Sequence, residues 1–451
     1  MIEIILLVVV SALLGTALGV LTGLIPGLHV NNVAIILLSL SPGAVLVLRS
    51  SASIEESTVL LMVASAIVST SMAHTFLDFI PSTFLGAPEG DTALSVLPAH
   101  SMLLEGHGYK AVYLSAVGSF GAVIVGFLLL IPYKMIVNEP VNGYAFLKEY
   151  MVWVLIGICV LMLTTESTEL PYVIRRSGGR LRLEKGRFSR TVGVMAAFGL
   201  FLTAGLMGLA VLDLPVSSPF GLPSTVLFPT LSGLFGTSTL LESVRGGATV
   251  PEQKIEAPDI EGGEAAASIV SGGFAGSVVG FLPGMSGGVA TVVAMLFRKD
   301  PKPSSVILTL SAINTANSFF VLSALFLILR PRSGAAIVVD DLLEVVRWSD
   351  PVPPSTLALL LMAAVLASTL GFFLTILLGG KMANVMPRIP YAKLAWGIIA
   401  FIVVMVFIFT GPLGLLVLAV STSIGMIAPQ IGIRRSHGMG VLLLPVIVMI
   451  W

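Results

Sequence analysis

The most constraining feature of this 451-residue chain is a stretch of 45 residues, 4–48, that contains no lysine, arginine, aspartate or glutamate. As one α-helix it would be about 68 Å long, whereas the hydrocarbon core of a bilayer is about 30 Å thick. Within it lies the sequence GLIPGLHVNN, 23–32, whose proline and glycines disfavour a continuous helix. The stretch is therefore predicted to form a helical hairpin with 23–32 at its tip.

A second uncharged stretch, 265–297, has the same character. It would be roughly 50 Å long as a helix, again more than one crossing needs. Its interruption is GFLPGMSGG, 280–288, and aligning the two stretches matches Pro26-Gly27 with Pro283-Gly284. A second hairpin is predicted, with 280–288 at its tip.

Two further matches follow in the same order along the chain. The sequence SAIVSTSMAHT from Ser65 resembles SAINTANSFFV from Ser311, and LSGLFGTSTLL from Leu231 resembles SIGMIAPQIGI from Ser423. We therefore predict two repeats, 1–250 and 260–451, each with about seven crossings and opening with a Pro-Gly-tipped hairpin. An odd number of crossings inverts the second repeat relative to the first, a design that recurs in secondary transporters.

Composition places these repeats in a membrane. Hydrophobic residues make up 56% of the chain and charged residues 11%, which predicts an all-α, multi-pass protein of the cell membrane. With 24 basic and 24 acidic residues there is no basic excess, so nucleic acid is not an expected partner. The single cysteine excludes an intramolecular disulfide.

The loop 175–190 sets the predicted orientation. It carries seven basic residues against one acidic residue, so the positive-inside rule predicts that it is cytoplasmic.

The tips are the first candidate binding elements. Broken backbone is tolerated at membrane depth only inside protein or along a wet cavity, and a helix start there attracts anions. The alternative is that the glycines only allow close helix packing. The residues predicted to bind substrate at the tips are Pro26, Gly27, His29, Asn31, Asn32, Pro283, Gly284, Ser286, Gly287 and Gly288.

The helices after the tips carry a second polar set. Asn314, Asn317 and Ser318 share one helix face and are predicted to complete the substrate site. The residues predicted to couple a cation are Ser71, His74, Thr75, Asp78 and Asp91. Two alternatives stay open: Asp78 caps or anchors a helix at the interface, and Asp91 belongs to a surface turn, GAPEGD.

Other chemistry is less favoured. No metal site is predicted, because His100 and His107 lack a convergent third ligand, and no cofactor beyond a coupling Na+ or H+ is expected. The sequence GMSG, 284–287, matches a pattern of intramembrane serine proteases, with His29 or His74 as the base. Four residues with two glycines are a weak motif, and no enzymatic activity is predicted.

The tip GLIPGLHVNNVAIILLSLSP, the block LGAPEGDTALSVLPAHSMLLEGHGYKAVYLSAVGSF and the tip GFLPGMSGG together resemble the large permease of tripartite tricarboxylate transporters, in particular its stand-alone archaeal-type branch. The resemblance covers nearly the whole chain. Residues of the two tips match the family pattern by position. So do residues of the middle block, namely Gly86, Pro88, Thr92, Ala93, Leu94 and Pro98.

The resemblance implies a permease that moves a di- or tricarboxylate by alternating access, coupled to Na+ or H+. The expected partners are the lipid bilayer and a small organic anion; a homodimer, a soluble binding protein and a small membrane subunit stay open. The charged stretch Glu89-Gly90-Asp91 and the polar tip at His29 and Asn31 depart from the family pattern and put the substrate in doubt. The second tip is also similar to a motif of polyprenyl-phosphate translocases, which gives a lipid carrier as the alternative cargo.

Overall fold

The structure, a computed structural model, describes most of the chain. The described residues are 2–25, 28, 30–86, 96–164, 166, 172–177, 180–185, 189–221, 226–245, 250–256, 258, 261–281, 290–291, 294 and 302–451.

Ten of the described helices are long and apolar enough to cross a membrane. Helices suit this role because they satisfy every backbone polar group internally. In the first part of the chain the helices are α1 Ile2–Leu24, α2 Val30–Ala52, α3 Glu56–Leu77, α4 Phe79–Phe84, α5 Val96–Leu104, α6 Gly108–Val137, α7 Gly143–Thr164 and α8 Ser189–Val211. They continue with α9 Leu227–Leu231, α10 Ser238–Arg245, α11 Gly262–Phe281, α12 Pro303–Ile328, α13 Gly334–Leu342, α14 Ser355–Val385, α15 Tyr391–Gly425, α16 Ile427–Ile431 and α17 Gly440–Ile450.

The predicted helical membrane protein is confirmed, with one addition outside the membrane helices. In the basic loop, β1 Tyr172–Ser177 pairs with β2 Arg180–Lys185 as an antiparallel hairpin, with Tyr172 opposite Lys185 and Ser177 opposite Arg180.

The interruptions lie where the proline and glycine clusters predict them. α1 ends at Leu24 and α2 begins at Val30, while α11 ends at Phe281, the second residue of the other predicted tip. α1 and α2 both pack mainly on α3 rather than on each other.

Two other apolar runs are broken in ways that hydropathy alone does not distinguish. The run near 218–240 contains α9, a π-helical turn Ser232–Thr237 and then α10, and it is not among the ten candidate membrane helices. In α15 the helix is interrupted at Gly411, whose φ of 66° is left-handed, immediately before Pro412. The Ser218 hydroxyl donates to the carbonyl of Ile408 at 2.6 Å and so satisfies a carbonyl that the break would otherwise leave free.

Glycines bring α1 against α3. A Cβ atom built on Gly15 would lie 2.2 Å from the Ala66 carbonyl oxygen, and one on Gly19 would lie 2.7 Å from that of Thr70. Gly23, a further turn along, meets the Asp78 backbone nitrogen at 3.0 Å. The numbers of the contacting residues increase in the same direction along both helices, so α1 and α3 run parallel.

The same arrangement occurs between α11 and α12. Glycines at the same four-residue spacing, Gly272, Gly276 and Gly280, meet the Thr309 carbonyl, the Ile313 carbonyl and the backbone of Phe320. Only residues without a Cβ permit backbones to approach this closely. α11 and α12 therefore also run parallel, packed by the same glycine repeat.

The helices form two packing groups. α1–α6 pack with α11–α14, and α7–α10 pack with α15–α17. Each group thus draws helices from both halves of the chain.

Candidate functional site

The two helices that follow the tips cross at the centre of the first group. Thr75 on α3 and Thr315 on α12 bring their hydroxyl oxygens to 3.1 Å, and Asn314 donates its amide to the Asp78 carboxylate at 3.2 Å. All four side chains are buried. From the first pair to the second, the residue number increases on α3 and decreases on α12, so these two helices are antiparallel.

The ends of α1 and α11 lie at this crossing, near the middle of α12. Gly23 of α1 packs at Leu77 and Asp78, which lie level with Asn314, while Gly280 of α11 packs at Phe320 and Val321. The seven positions between Asn314 and Val321 correspond to about 10 Å along the helix axis. The ends of α1 and α11 therefore approach the crossing from opposite directions and overlap there.

His74 connects α3 to the last turn of α1. Its Nδ1 atom lies 3.0 Å from the hydroxyl of Thr22, two residues before the end of α1, and its ring is buried. Burial of a titratable ring and a carboxylate beside an interrupted membrane helix is typical of transport sites.

A small cleft opens on one side of the crossing. Its walls include Ser71 and Met72 of α3, Ser318 of α12, and Ser333 with Ala335 at the start of α13. The volume is about 30 Å³, and a water molecule needs on the order of 10–15 Å³, so the cleft has room for about two or three waters. A di- or tricarboxylate would require these helices to separate.

The start of α13 is bound to the first tip. The Asn31 side-chain oxygen accepts a hydrogen bond from the Ala335 backbone nitrogen at 3.0 Å, and Ser333 caps the same helix by accepting from Ala336 at 3.1 Å. Gly334 is required here, because a Cβ would lie 2.6 Å from Cγ of Asn31. Asn31 thus has a definite helix-capping contact, beside which its predicted role in substrate binding stays a prediction.

Several predicted site residues lie outside the described residues. These are Pro26, Gly27, His29, Pro283, Gly284, Ser286, Gly287, Gly288 and Asp91. For Asn32 the structure describes only its place in α2. The predicted residues that the structure brings together are Ser71, Thr75, Asp78, Asn314 and Ser318.

A second buried polar cluster was not predicted from sequence. Glu166, just after α7, accepts from His437 Nε2 at 2.6 Å and from Arg434 Nε at 3.0 Å. Arg435, the residue after Arg434, donates to the hydroxyls of Ser238 and Thr239 at 3.0 and 2.9 Å and pairs with Glu242. The available signal was the presence of ionisable residues immediately beside apolar runs.

These features define a class of protein: a multi-pass helical membrane protein of the transporter type, in which interrupted helices meet a buried polar crossing. The family model of the Tripartite tricarboxylate transporter TctA family matches residues 9–440, and the chain belongs to this family. It is accordingly a permease of the tricarboxylate-transporter type, in a family of transporters rather than of enzymes.

A relative in an archaeon agrees with the branch suggested by the motifs. An uncharacterised protein of Methanocaldococcus jannaschii is 26% identical over 333 residues, which cover 73% of this chain and 71% of that protein.

Proposed function

We propose that this permease is a secondary active transporter of a small organic anion, in particular a di- or tricarboxylate, coupled to Na+ or H+. The observation that carries the proposal is the duplicated glycine-packed helix pair, α1 with α3 and α11 with α12, whose second members cross antiparallel at buried polar residues. Membership of the tricarboxylate transporter family supports the cargo.

The contacts support an inverted repeat. Gly15, Gly19 and Gly23 correspond to Gly272, Gly276 and Gly280 in sequence and in the contacts that they make. Gly15 meets Ala66, whereas Gly272 meets Thr309, which lies three positions before the Ala312 that sequence similarity pairs with Ala66. When the two helix pairs are aligned by these glycine contacts, Ser71 corresponds to Asn314, His74 to Asn317 and Thr75 to Ser318.

Asp78, Thr75 and Thr315 are the proposed coupling residues. A carboxylate and hydroxyl oxygens are suitable ligands for Na+, and a buried carboxylate beside a histidine also suits a proton. The two tips supply the remaining backbone groups, as in other transporters with interrupted helices.

The two packing groups support alternating access. Each group contains helices from both halves, and the cleft of about 30 Å³ has to widen for cargo to enter. We propose that relative movement of the groups exposes the crossing to either side of the membrane, with loop 175–190 in the cytoplasm.

One observation favours the alternative of a lipid-linked anion. A groove of about 520 Å³ lies between α2 and α3, lined by apolar residues such as Val45 and Leu46 and ending at Arg49 and Ser50. Arg49 pairs with Glu56, which also lines the groove, at 3.6 Å, so the phosphate of an acyl or polyprenyl carrier in this groove would compete with that carboxylate for Arg49.

Uptake into proteoliposomes tests the proposal. Radiolabelled citrate or succinate should accumulate under an imposed Na+ or H+ gradient and stop when the gradient is collapsed. Binding of a polyprenyl phosphate with no uptake of either acid would instead favour the lipid carrier. If neither acid is transported nor raises the melting temperature, the carboxylate assignment is wrong.

A further inference from the structure

Two buried donor groups in the first packing group have no hydrogen-bond partner among the described residues. They are the hydroxyl of Tyr133, near the end of α6, and Nε of Arg332, between α12 and α13. The great majority of buried polar atoms in proteins are hydrogen-bonded, and leaving one unpaired costs about 1–3 kcal/mol. Both groups can donate, and one belongs to a permanently charged guanidinium.

Tyr133 packs against the end of α11 and the middle of α12. Its ring centroid is 5.7 Å from that of Phe281, the last residue of α11, and 4.5 Å from that of Phe320 on α12. The side chain is 4% exposed. The hydroxyl therefore belongs to the same region as the end of α11, where the predicted tip 280–288 begins.

Arg332 is held in a fixed orientation beside this region. Its Nη2 atom donates to the Tyr144 hydroxyl at 2.7 Å, and its Cζ atom lies 5.2 Å from the centre of the Tyr144 ring. The cleft places Ser333 beside Val321 and Leu322, so the chain at Arg332 lies at the level of the Phe320 ring that Tyr133 contacts. The next residue, Ser333, lines the cleft at the crossing of α3 and α12.

The guanidinium has no carboxylate partner within the part of the chain that the structure describes. Tyr144 and Tyr133 offer it hydroxyl and ring contacts but no negative charge. At the crossing itself the described ionisable groups are Asp78 and His74. An anionic substrate is bound best by a cationic side chain, and a carboxylate such as Asp78 does not provide one.

We propose that Arg332 and Tyr133 form an anion site that receives one carboxylate of the transported substrate. The proposal rests on the proposed function and adds its specificity-determining cation. Arg332 donates a charge-assisted hydrogen bond through Nε, and Tyr133 donates a second from the opposite element.

Four variants test the site: Arg332→Gln, Arg332→Lys, Tyr133→Phe and, as a matched control, Arg330→Gln. Arg330 lies two residues away and is exposed. In citrate uptake we expect Arg332→Gln to raise KM by about tenfold or more, because a charge-assisted contact is lost. Arg332→Lys should fall between the wild type and Arg332→Gln, because lysine keeps the charge without the planar fork.

Tyr133→Phe should raise KM by about threefold to tenfold, the effect of one hydrogen bond, without lowering the melting temperature of the unliganded protein. Arg330→Gln should stay within about twofold of the wild type, as expected of a fully solvated charge. An unchanged KM in folded Arg332→Gln and Tyr133→Phe would overturn the site while leaving the transport function intact.

A binding measurement separates failure of the site from failure of the proposed function. Sodium sulfate is titrated into the wild type, Arg332→Gln and Arg330→Gln while the melting temperature is followed. If the wild type moves no carboxylate, the proposed function fails. The anion site still stands if sulfate stabilises the wild type and Arg330→Gln more than Arg332→Gln, and equal stabilisation of all three overturns it.

Discussion

The hydroxyl oxygens of Thr75 and Thr315 lie 3.1 Å apart, and each threonine is buried on a helix from a different half of the chain. The contact joins positions separated by 240 residues in sequence and marks the place where α3 crosses α12 antiparallel. The neighbouring pair, Asp78 with Asn314, adds a carboxylate to the same crossing. The candidate site is thus formed between the halves rather than within either of them.

Replacing Asp78 by asparagine should uncouple transport. The variant keeps the shape of the side chain and its contact with Asn314 but removes the buried negative charge. We expect gradient-driven citrate uptake to fall by about tenfold or more, equivalent to about 1.4 kcal/mol, because a coupling cation loses its charged ligand. Asp213→Asn, at an exposed acid, is the control. Full uptake with unchanged Na+ and H+ dependence in the Asp78 variant would exclude a coupling role for this residue.

The glycine-packed pairs should be equally intolerant of added volume. A Cβ on Gly19 would lie 2.6 Å from Cβ of Ala73, and one on Gly276 would lie 2.7 Å from Cβ of Ala316. Gly19→Ala and Gly276→Ala should each lower the free energy of unfolding by about 1–3 kcal/mol through overpacking.

Gly157→Ala is the control for these variants, since a Cβ at Gly157 meets nothing within 4 Å. It should be neutral or slightly stabilising, because alanine favours a helix by about 0.5–1 kcal/mol. Thermal unfolding in detergent measures all three variants. Similar melting temperatures across them would show that the two helix pairs are not closely packed.

Glu166→Gln should destabilise the second packing group. Glu166 is 3% exposed and is the shared acceptor of His437 and Arg434. Removing the charge leaves the buried His437 ring and the half-exposed Arg434 without their charged acceptor, which costs about 1–3 kcal/mol. Glu56→Gln removes a carboxylate from an exposed pair with Arg49 and should cost no more than about 1 kcal/mol. Equal loss of melting temperature in the two variants would contradict the structural role of the Glu166 cluster.

His100 should make the protein less stable in mild acid. It lies on the short helix α5, and burial lowers its pKa below the ordinary value of 6.5, with a partly opposing hydrogen bond to the Thr83 backbone. The unfolded chain therefore binds this proton more readily than the folded protein. The stabilisation is fully present above about pH 6.5 and is lost as the pH falls from there through the lowered folded-state pKa.

The melting temperature measured from about pH 7 to pH 5 tests this expectation. The wild type should lose more stability across the range than His100→Gln, which lacks the titrating ring. Parallel pH profiles for the two proteins would show that protonation of His100 does not affect folding.

The architecture was largely predictable from apolar length and from the proline and glycine clusters. The 45-residue stretch had to be broken, and α1 ends at Leu24 within the predicted tip. The run near 218–240 contains a π-helical turn at Ser232–Thr237, which hydropathy does not detect. The paired helices after the tips were also found from sequence, since Thr75 and Asn314 stand in matched polar segments.

Long-range partners were not predictable in the same way. Asn31 binds the backbone of Ala335, and Glu166 binds His437, across 304 and 271 positions of sequence. Neither pair has a local spacing that would reveal it, because the contacts depend on how the two halves are packed. The sequence alignment of α3 with α12 differs by three positions, about one helical turn, from the alignment given by the glycine contacts. The cause is the same, because sequence similarity does not determine which helix faces pack together.

The most direct measurement of the central claim is citrate uptake by two double variants that each remove one buried hydroxyl pair. Thr75→Val with Thr315→Val removes the pair at the crossing, and Ser115→Ala with Ser311→Ala removes a pair 2.8 Å apart between α6 and α12. If the crossing of α3 and α12 is the transport site, the threonine variant loses uptake by about tenfold or more while the serine variant retains it. Equal uptake by the two double variants, with both proteins folded, would contradict the account.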